Sequence, residues 1–347
     1  MYIYDEISKI EDCKNSKIIK CENPYALFLE QKTGHSAYFF SCPIYDREGK
    51  WIDPTFYRDD SVFRLKGSSG EIVIDGELIK FYKDNTVISV KTQKELTIEP
   101  TFNGIKGECE GEVCRIFLHT EERYEEKFNG RCFVLWTEEN AGVLSVSGLY
   151  SVAKNGLKNV EISYQKVPNG YEIEIKGTKD ALRVAFEISL YASKLIFDTT
   201  IESDFPDRNN AYGGVAYLVN GEKKEELYSR FNLGCLSDLS KEKFERATLY
   251  IPVYSKGKSK LQLRAASEPW CSLGLNWMKR IEGGEALKES IVENGYAKFD
   301  ITRLLKQQLR TANIANYGII ISTDENTPVV ISTGDNYDRP QILRIQF

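Results

Sequence analysis

Asn169-Gly-Tyr-Glu-Ile-Glu-Ile-Lys-Gly177 is the stretch whose reading decides the fold class. Apolar and charged side chains alternate along it. Tyr171, Ile173 and Ile175 therefore face one way and Glu172 and Glu174 the other, the period of two that a half-exposed strand requires. An Asn-Gly pair opens it, and such pairs supply the positive φ of a tight hairpin turn. The same grammar runs through the first half of the chain. It predicts strands over 37–41, 62–66, 71–74, 78–82, 86–90, 96–98, 114–119, 132–136, 143–146, 160–164, 171–175 and 182–190. Turn signals part them at Gly67-Ser-Ser-Gly70, Asp75-Gly76, Asp84-Asn85, Asn103-Gly104, Asn129-Gly130 and Asn155-Gly156. Helical periodicity is scarce. One helix is predicted over 301–309, with Asp300 or Thr302 near its start as a cap. An all-β protein follows, built as two β-sandwich domains with few short helices.

With 347 residues the chain exceeds one small core, and two domains are expected. After Leu190-Tyr-Ala-Ser193 the texture turns polar and loop-rich, which places a boundary near Ala192 and divides the chain into 1–192 and 193–347. A net charge of -5 leaves no basic footprint for nucleic acid, and no stretch approaches the length of a membrane span. Met1-Tyr-Ile-Tyr-Asp-Glu-Ile-Ser lacks the basic start and apolar run of a secretory signal, so the expectation is a cytosolic product or one released by another route. The eight cysteines form no C-x-x-C pair. Cys109 and Cys114 bracket Glu-Gly-Glu-Val and could close a hairpin, although buried free thiols are favoured. Aromatic residues make up 12% of the chain, which suits strands first and sugar stacking second.

From Ile196 onward five features stand in order: Asp198-Thr-Thr-Ile-Glu-Ser-Asp-Phe-Pro-Asp-Arg-Asn-Asn-Ala-Tyr-Gly-Gly214, Leu227-Tyr-Ser-Arg-Phe-Asn-Leu233, Ala247-Thr-Leu-Tyr-Ile-Pro-Val-Tyr254, the pair Trp270 and Trp277, and Tyr296-Ala-Lys-Phe-Asp-Ile-Thr-Arg-Leu-Leu305 followed by Asn316-Tyr-Gly-Ile-Ile320 and Ser332-Thr-Gly-Asp-Asn-Tyr-Asp-Arg-Pro-Gln-Ile-Leu343. Together they resemble the DNRLRE-type domain, a family of jelly-roll-like modules that includes carbohydrate-binding modules of some polysaccharide lyases. The resemblance covers about residues 194–347 and implies a sandwich fold and contact with glycan. Around Trp270 the chain departs from it, reading Pro-Trp-Cys-Ser-Leu-Gly-Leu-Asn-Trp where the family more often carries acidic and threonine residues.

Chemistry narrows the function further. Histidine is nearly absent, and His119 after Ile116-Phe-Leu reads as a strand residue. His35, Tyr38, Tyr57 and Arg58 are the only catalytic set worth naming, and nothing in their spacing demands it. The residues point away from an enzyme and toward binding or assembly. Candidate glycan contacts are Trp51, Tyr57, Arg230, Trp270, Trp277, Tyr337 and Arg339, as stacking rings or as planar cations for an acidic sugar, with Trp270 and Trp277 read first as core or edge packing and Arg339 equally as a partner for a carboxylate inside the fold. Asp198, Asp204, Asp207 and Asn209 form an oxygen-rich stretch of the kind that takes Ca²⁺, against the plainer reading that such residues make turns. Asp46, Asp53, Asp59 and Asp60 with Trp51, Phe56 and Tyr57 form a second, a sugar groove or calcium site against a solvated loop. The basic run Lys256-Gly-Lys-Ser-Lys260 reads as a solvent-facing hairpin tip. The expected function is a non-catalytic structural or adhesion component of a bacterial surface, spore or phage particle that touches glycan and associates with itself or with other particle subunits. The alternatives are a module delivering a partner to a polysaccharide, and an accessory region of a lyase or glycosidase.

Overall fold

The computed structural model describes residues 7–9, 16–19, 23–32, 34–45, 49–52, 55–59, 61–66, 70–76, 78–83, 86–92, 96–120, 124–136, 142–190, 195–232, 236, 244–310 and 317–347. The strands in chain order are β1 (Lys17–Ile19), β2 (Ala26–Gln31), β3 (Gly34–Phe40), β4 (Tyr57–Asp59), β5 (Val62–Lys66), β6 (Glu71–Asp75), β7 (Leu78–Lys83), β8 (Thr86–Thr92), β9 (Leu96–Pro100), β10 (Gly104–Glu110), β11 (Val113–Thr120), β12 (Glu125–Phe128), β13 (Cys132–Trp136) and β14 (Gly142–Ala153). They continue as β15 (Gly156–Lys158), β16 (Glu161–Val167), β17 (Gly170–Lys176), β18 (Ala181–Leu190), β19 (Ile196–Glu202), β20 (Val215–Asn220), β21 (Lys224–Phe231), β22 (Arg246–Pro252), β23 (Lys260–Ala266), β24 (Gly283–Ile291), β25 (Tyr296–Asp300), β26 (Ile319–Thr323), β27 (Val329–Ser332) and β28 (Ile342–Gln346). The helix α1 spans Thr302–Arg310. No helix among the described residues is long and apolar enough to cross a membrane.

The chain forms two compact units. The inserted unit holds residues 45–192 and 212–214, and the split unit holds 1–44, 193–211 and 215–347. This corrects the expected assignment of 1–192 to one domain. β3 pairs antiparallel with β28 in the register Ala37↔Ile345 and Phe39↔Leu343, so the first strands complete a sheet of the split unit. Local patterning carries no record of a partner three hundred positions away.

In the inserted unit one sheet runs β12-β13-β14-β18-β10-β9 and the other β16-β17-β11-β8-β7-β6-β5-β4, all antiparallel. Their inner faces meet in one apolar cluster, with Phe81, Ile116 and Ile173 from one sheet against Ile105, Phe133 and Phe186 from the other. The opening stretch behaves as its alternation requires. Tyr171, Ile173 and Ile175 are buried, and Glu172 and Glu174 face outward, where they pair with Arg115. Its turn is tighter than Asn-Gly alone implies. Pro168 sets the first turn position and Asn169 itself takes the positive φ, 64°.

The split unit packs β1-β2-β3-β28-β22-β25 against β24-β23-β26-β21-β20-β27, with β19 also on β21. Phe39, Leu249, Phe299 and Leu343 of the first sheet meet Leu227, Leu263, Ile321 and Ile331 of the second. Each such side chain, fully buried, contributes about 1.5–3 kcal/mol. Helix α1 starts where expected, because Asp300 accepts from Thr302 N at 3.0 Å, and it buries Leu305 against this core. Cys42, Cys109, Cys114 and Cys132 are buried free thiols and Cys271 is an exposed one, so Cys109 and Cys114 do not close a bridge. Cys13, Cys21 and Cys235 lie outside the described residues.

Candidate functional site

Alternation on three neighbouring strands builds a polar groove on the outer face of the second sheet of the split unit. On β21 the residues Leu227 and Phe231 point into the core, which turns Glu226, Tyr228 and Arg230 outward. Across the register Tyr228↔Ile320 and Arg264↔Ile320, the outward residues of β26 and β23 are Ser322, Gln262 and Arg264. Glu226, Gln262, Arg264 and Ser322, with Asp324, Lys224 and Arg280 at the rim, line a cavity of about 330 Å³.

The groove side chains are held by one another. The Arg264 guanidinium donates to Glu226 at 2.7 Å, and Gln262 donates its amide to Asp324. The Tyr228 hydroxyl donates to Ile281 O at 2.6 Å and lies 3.3 Å from a Glu226 oxygen. Burial first, and then the neighbouring carboxylate, push this phenol well above its ordinary range. One end of the face is roofed by residues 267–283, whose Trp270 and Leu275 pack on Ile201, Tyr228, Ala266 and Ile320.

The residues nominated from sequence fall into different roles. Trp270 is 8% exposed, its indole N–H donates to Tyr317 O, and its ring meets Tyr228 edge-on at 5.8 Å; it belongs to the roof rather than to a stacking platform. Trp277 packs on the same cluster with one face under Arg280. Arg230 lies 5.8 Å from both the Phe197 and Trp270 ring centroids. Tyr337 is buried at 2% exposure. Arg339 donates to Val253 O at 3.0 Å and Gly295 O at 3.2 Å, so it ties two backbone segments together inside the fold. In the inserted unit Trp51 stacks on Tyr45 at 4.4 Å, and Tyr57 is 43% exposed on β4.

The nominated calcium ligands do not converge. Asp198 is buried and accepts from Gly334 N, Asp204 pairs with Lys223, and the Asn209 amide donates to Ser272 O and Leu275 O, both at 2.6 Å. Asp207 is exposed and offers its backbone carbonyl to Asn276. Among the described residues no three His, Cys, Asp or Glu side chains group as a metal set. In the other acidic stretch Asp59 pairs with Arg64. Asp46, Asp53 and Asp60 lie outside the described residues. His35 and Tyr38 point to opposite faces of β3, His35 exposed and Tyr38 buried, and Tyr57 and Arg58 belong to the other unit. In the basic run Lys260 pairs with Glu289.

A second cluster of shifted groups lies in the inserted unit. Burial raises the Tyr171 phenol to about 12, aided by Glu126, whose carboxylate accepts from it at 3.2 Å. Burial acts against the charged form of Glu126, but bonds from Lys166, at 2.6 Å, and Tyr171 outweigh it and hold the carboxyl below its ordinary value. Asp180 and Asp300 are lowered, and Lys166, Lys223, Lys260 and Arg64 are raised. Every resolved shift among the described residues thus runs away from neutral pH. A proton-transfer group is tuned in the opposite direction.

The groove was not nominated from sequence, because Glu226, Gln262, Arg264 and Ser322 are ordinary outward-facing strand residues. Their three strands meet only through the sheet register. The chain matches no model of a known protein family, and no curated protein matches it.

Proposed function

We propose that this protein is a non-catalytic structural or adhesion component of a bacterial surface, spore or virion particle, and that it contacts glycan through the groove on the outer face of the split unit. The observation that carries the proposal is the groove lining. Glu226, Arg264, Gln262 and Asp324 are planar, hydrogen-bonding side chains fixed in pairs before any ligand arrives, and neighbouring sugar hydroxyls need donors and acceptors held in this manner. The DNRLRE-type resemblance of residues 194–347 supports the same ligand class.

A glycan array tests the binding half. Wild type is expected to give hits that persist without Ca²⁺ and that fade in Gln262→Ala and Glu226→Ala. Silence across neutral and acidic glycans would retire the groove as a glycan site and leave only the assembly role. Hits that survive both substitutions would move the contact elsewhere on the protein.

A further inference from the structure

Two turns of the split unit contain one device. Phe205-Pro-Asp-Arg208 closes with Arg208 N donating to Phe205 O at 2.9 Å, Pro206 standing at the second turn position where its fixed φ fits. The turn brings the Arg208 guanidinium 3.6 Å from the Phe205 ring centroid. Trp277–Lys279 is a single 3₁₀ turn capped by Asn276, whose side chain accepts from Lys279 N at 3.0 Å. Residues three apart eclipse in such a turn, and Arg280 lies 4.7 Å from the Trp277 ring centroid. Each arginine thus follows its aromatic ring by three positions.

The two turns are locked to each other. Met278 N donates to Pro206 O at 3.1 Å and the Asn276 amide to Asp207 O at 3.4 Å, while Asn209 bonds Ser272 O and Leu275 O. A guanidinium laid on a ring has one face desolvated and its position fixed, yet its N–H donors lie in its own plane, free for a planar oxyanion. Other cations of this region are engaged: Arg264 by Glu226, Arg339 by backbone carbonyls and Lys223 by Asp204. Arg208 and Arg280 have no carboxylate in ion-pair reach among the described residues. Arg280 also stands at the rim of the groove, where Arg264 neutralises Glu226, Glu225 accepts from Tyr217 N, Gln262 bonds Asp324 without removing its charge, and Glu282 is solvent-exposed.

We propose that Arg208 and Arg280, each held against an aromatic ring, recognise the anionic groups of a polysaccharide, carboxylates or sulfate esters, whose hydroxyls occupy the groove. The proposal rests on the glycan reading of that groove and narrows it to acidic chains. It also reassigns anion contact from Arg230 and Arg339 to two arginines that the sequence had not singled out.

The test is titration of the full chain with polygalacturonate, dextran sulfate and neutral dextran, comparing wild type with Arg208→Gln, Arg280→Gln, Arg280→Lys and the double variant Lys256→Gln/Lys258→Gln. Wild type is expected to prefer one or both acidic polymers, with affinity falling steeply between about 50 and 300 mM salt. Preference for polygalacturonate assigns the contact to carboxylate, and preference for dextran sulfate assigns it to sulfate. Each glutamine variant is expected to lose affinity by on the order of tenfold, the scale of a charge-assisted hydrogen bond. Arg280→Lys is expected to lose part of that, since it keeps the charge without the plane, and the lysine double variant to match wild type. Circular dichroism of each variant separates lost binding from lost fold. Binding of dextran as tight as of the acidic polymers, or an equal loss in the lysine variant, would overturn the anion assignment while leaving the groove a glycan site. No binding to any of the three would overturn both.

Discussion

Arg339 and Arg280 present the same guanidinium to opposite ends, one half-buried and bonded to backbone carbonyls and the other laid on an indole at the surface. Residue type alone cannot separate such cases, because burial is decided by strands far apart in the chain. The same holds for Trp270, which pairs with Trp277 in the sequence and reads as core or edge packing before it reads as a sugar-stacking ring. Replacing Trp270 by Phe keeps an edge toward Tyr228 but loses the bond to Tyr317 O, and urea unfolding is expected to show a loss of about 1–2 kcal/mol. Polysaccharide affinity should be unchanged; a large loss of affinity at full stability would return Trp270 to the ligand. The spacing of Phe205 and Arg208 around Pro206 singles out neither residue in the sequence, because the oxygen-rich stretch around it reads first as turns. Glu126 supplies a pH test. Its folded-state pKa lies below the ordinary value of 4.5, so its contribution is complete above that value and is lost as pH falls through the folded pKa. Glu126→Gln should therefore lower the urea midpoint at pH 7, with the gap to wild type narrowing toward pH 3. A gap independent of pH would contradict the assignment. Tyr171→Phe, which deletes a buried hydroxyl at this carboxylate, is expected to cost about 1 kcal/mol.

At the scale of elements the alternating segments were readable wherever a turn signal bounded them. β5 and β13 coincide with the expected 62–66 and 132–136, and most of the other expected strands grew only at their ends. β10 was missed for a physical reason. Gly-Ile-Lys-Gly-Glu-Cys-Glu has weak strand propensity, yet Gly107 lies beneath the Phe186 ring, where an added Cβ would come within 2.3 Å of Cζ. β1 and β4 are three-residue edge strands, too short for periodicity to register. The pairing of β3 with β28 has no local signature at all, and it sets a test. A fragment of residues 193–347 lacks Ala26, Ala37 and Phe39 from its core and leaves one edge of β28 bare. It is expected to be insoluble or to bind ANS without near-UV dichroism, as an open sheet edge and a missing layer predict. A soluble fragment with a cooperative melt would show that β1, β2 and β3 are dispensable.

At the scale of the molecule, two separate cores predict two events in calorimetry. The cluster around Phe81 and Phe186 and the one around Phe39 and Phe299 are distinct, so unfolding is expected to deviate from a single two-state transition. A single peak with equal calorimetric and van't Hoff enthalpies would show tight coupling of the units. Light scattering at high concentration is expected to find defined oligomers or fibres, and a monodisperse monomer would count against a role in a particle. The adjacency of β3 and β28 also bears on biogenesis. During synthesis residues 26–40 leave the ribosome long before residues 342–346 exist, whereas all the strands of the inserted unit are present by residue 190. That unit is thus able to collapse while the earlier strands wait with exposed apolar faces, a long-range closure that is entropically slow. Residues 26–40 are made before the inserted unit yet are among the last to find their place, and in that interval the nascent chain has its greatest need of a chaperone.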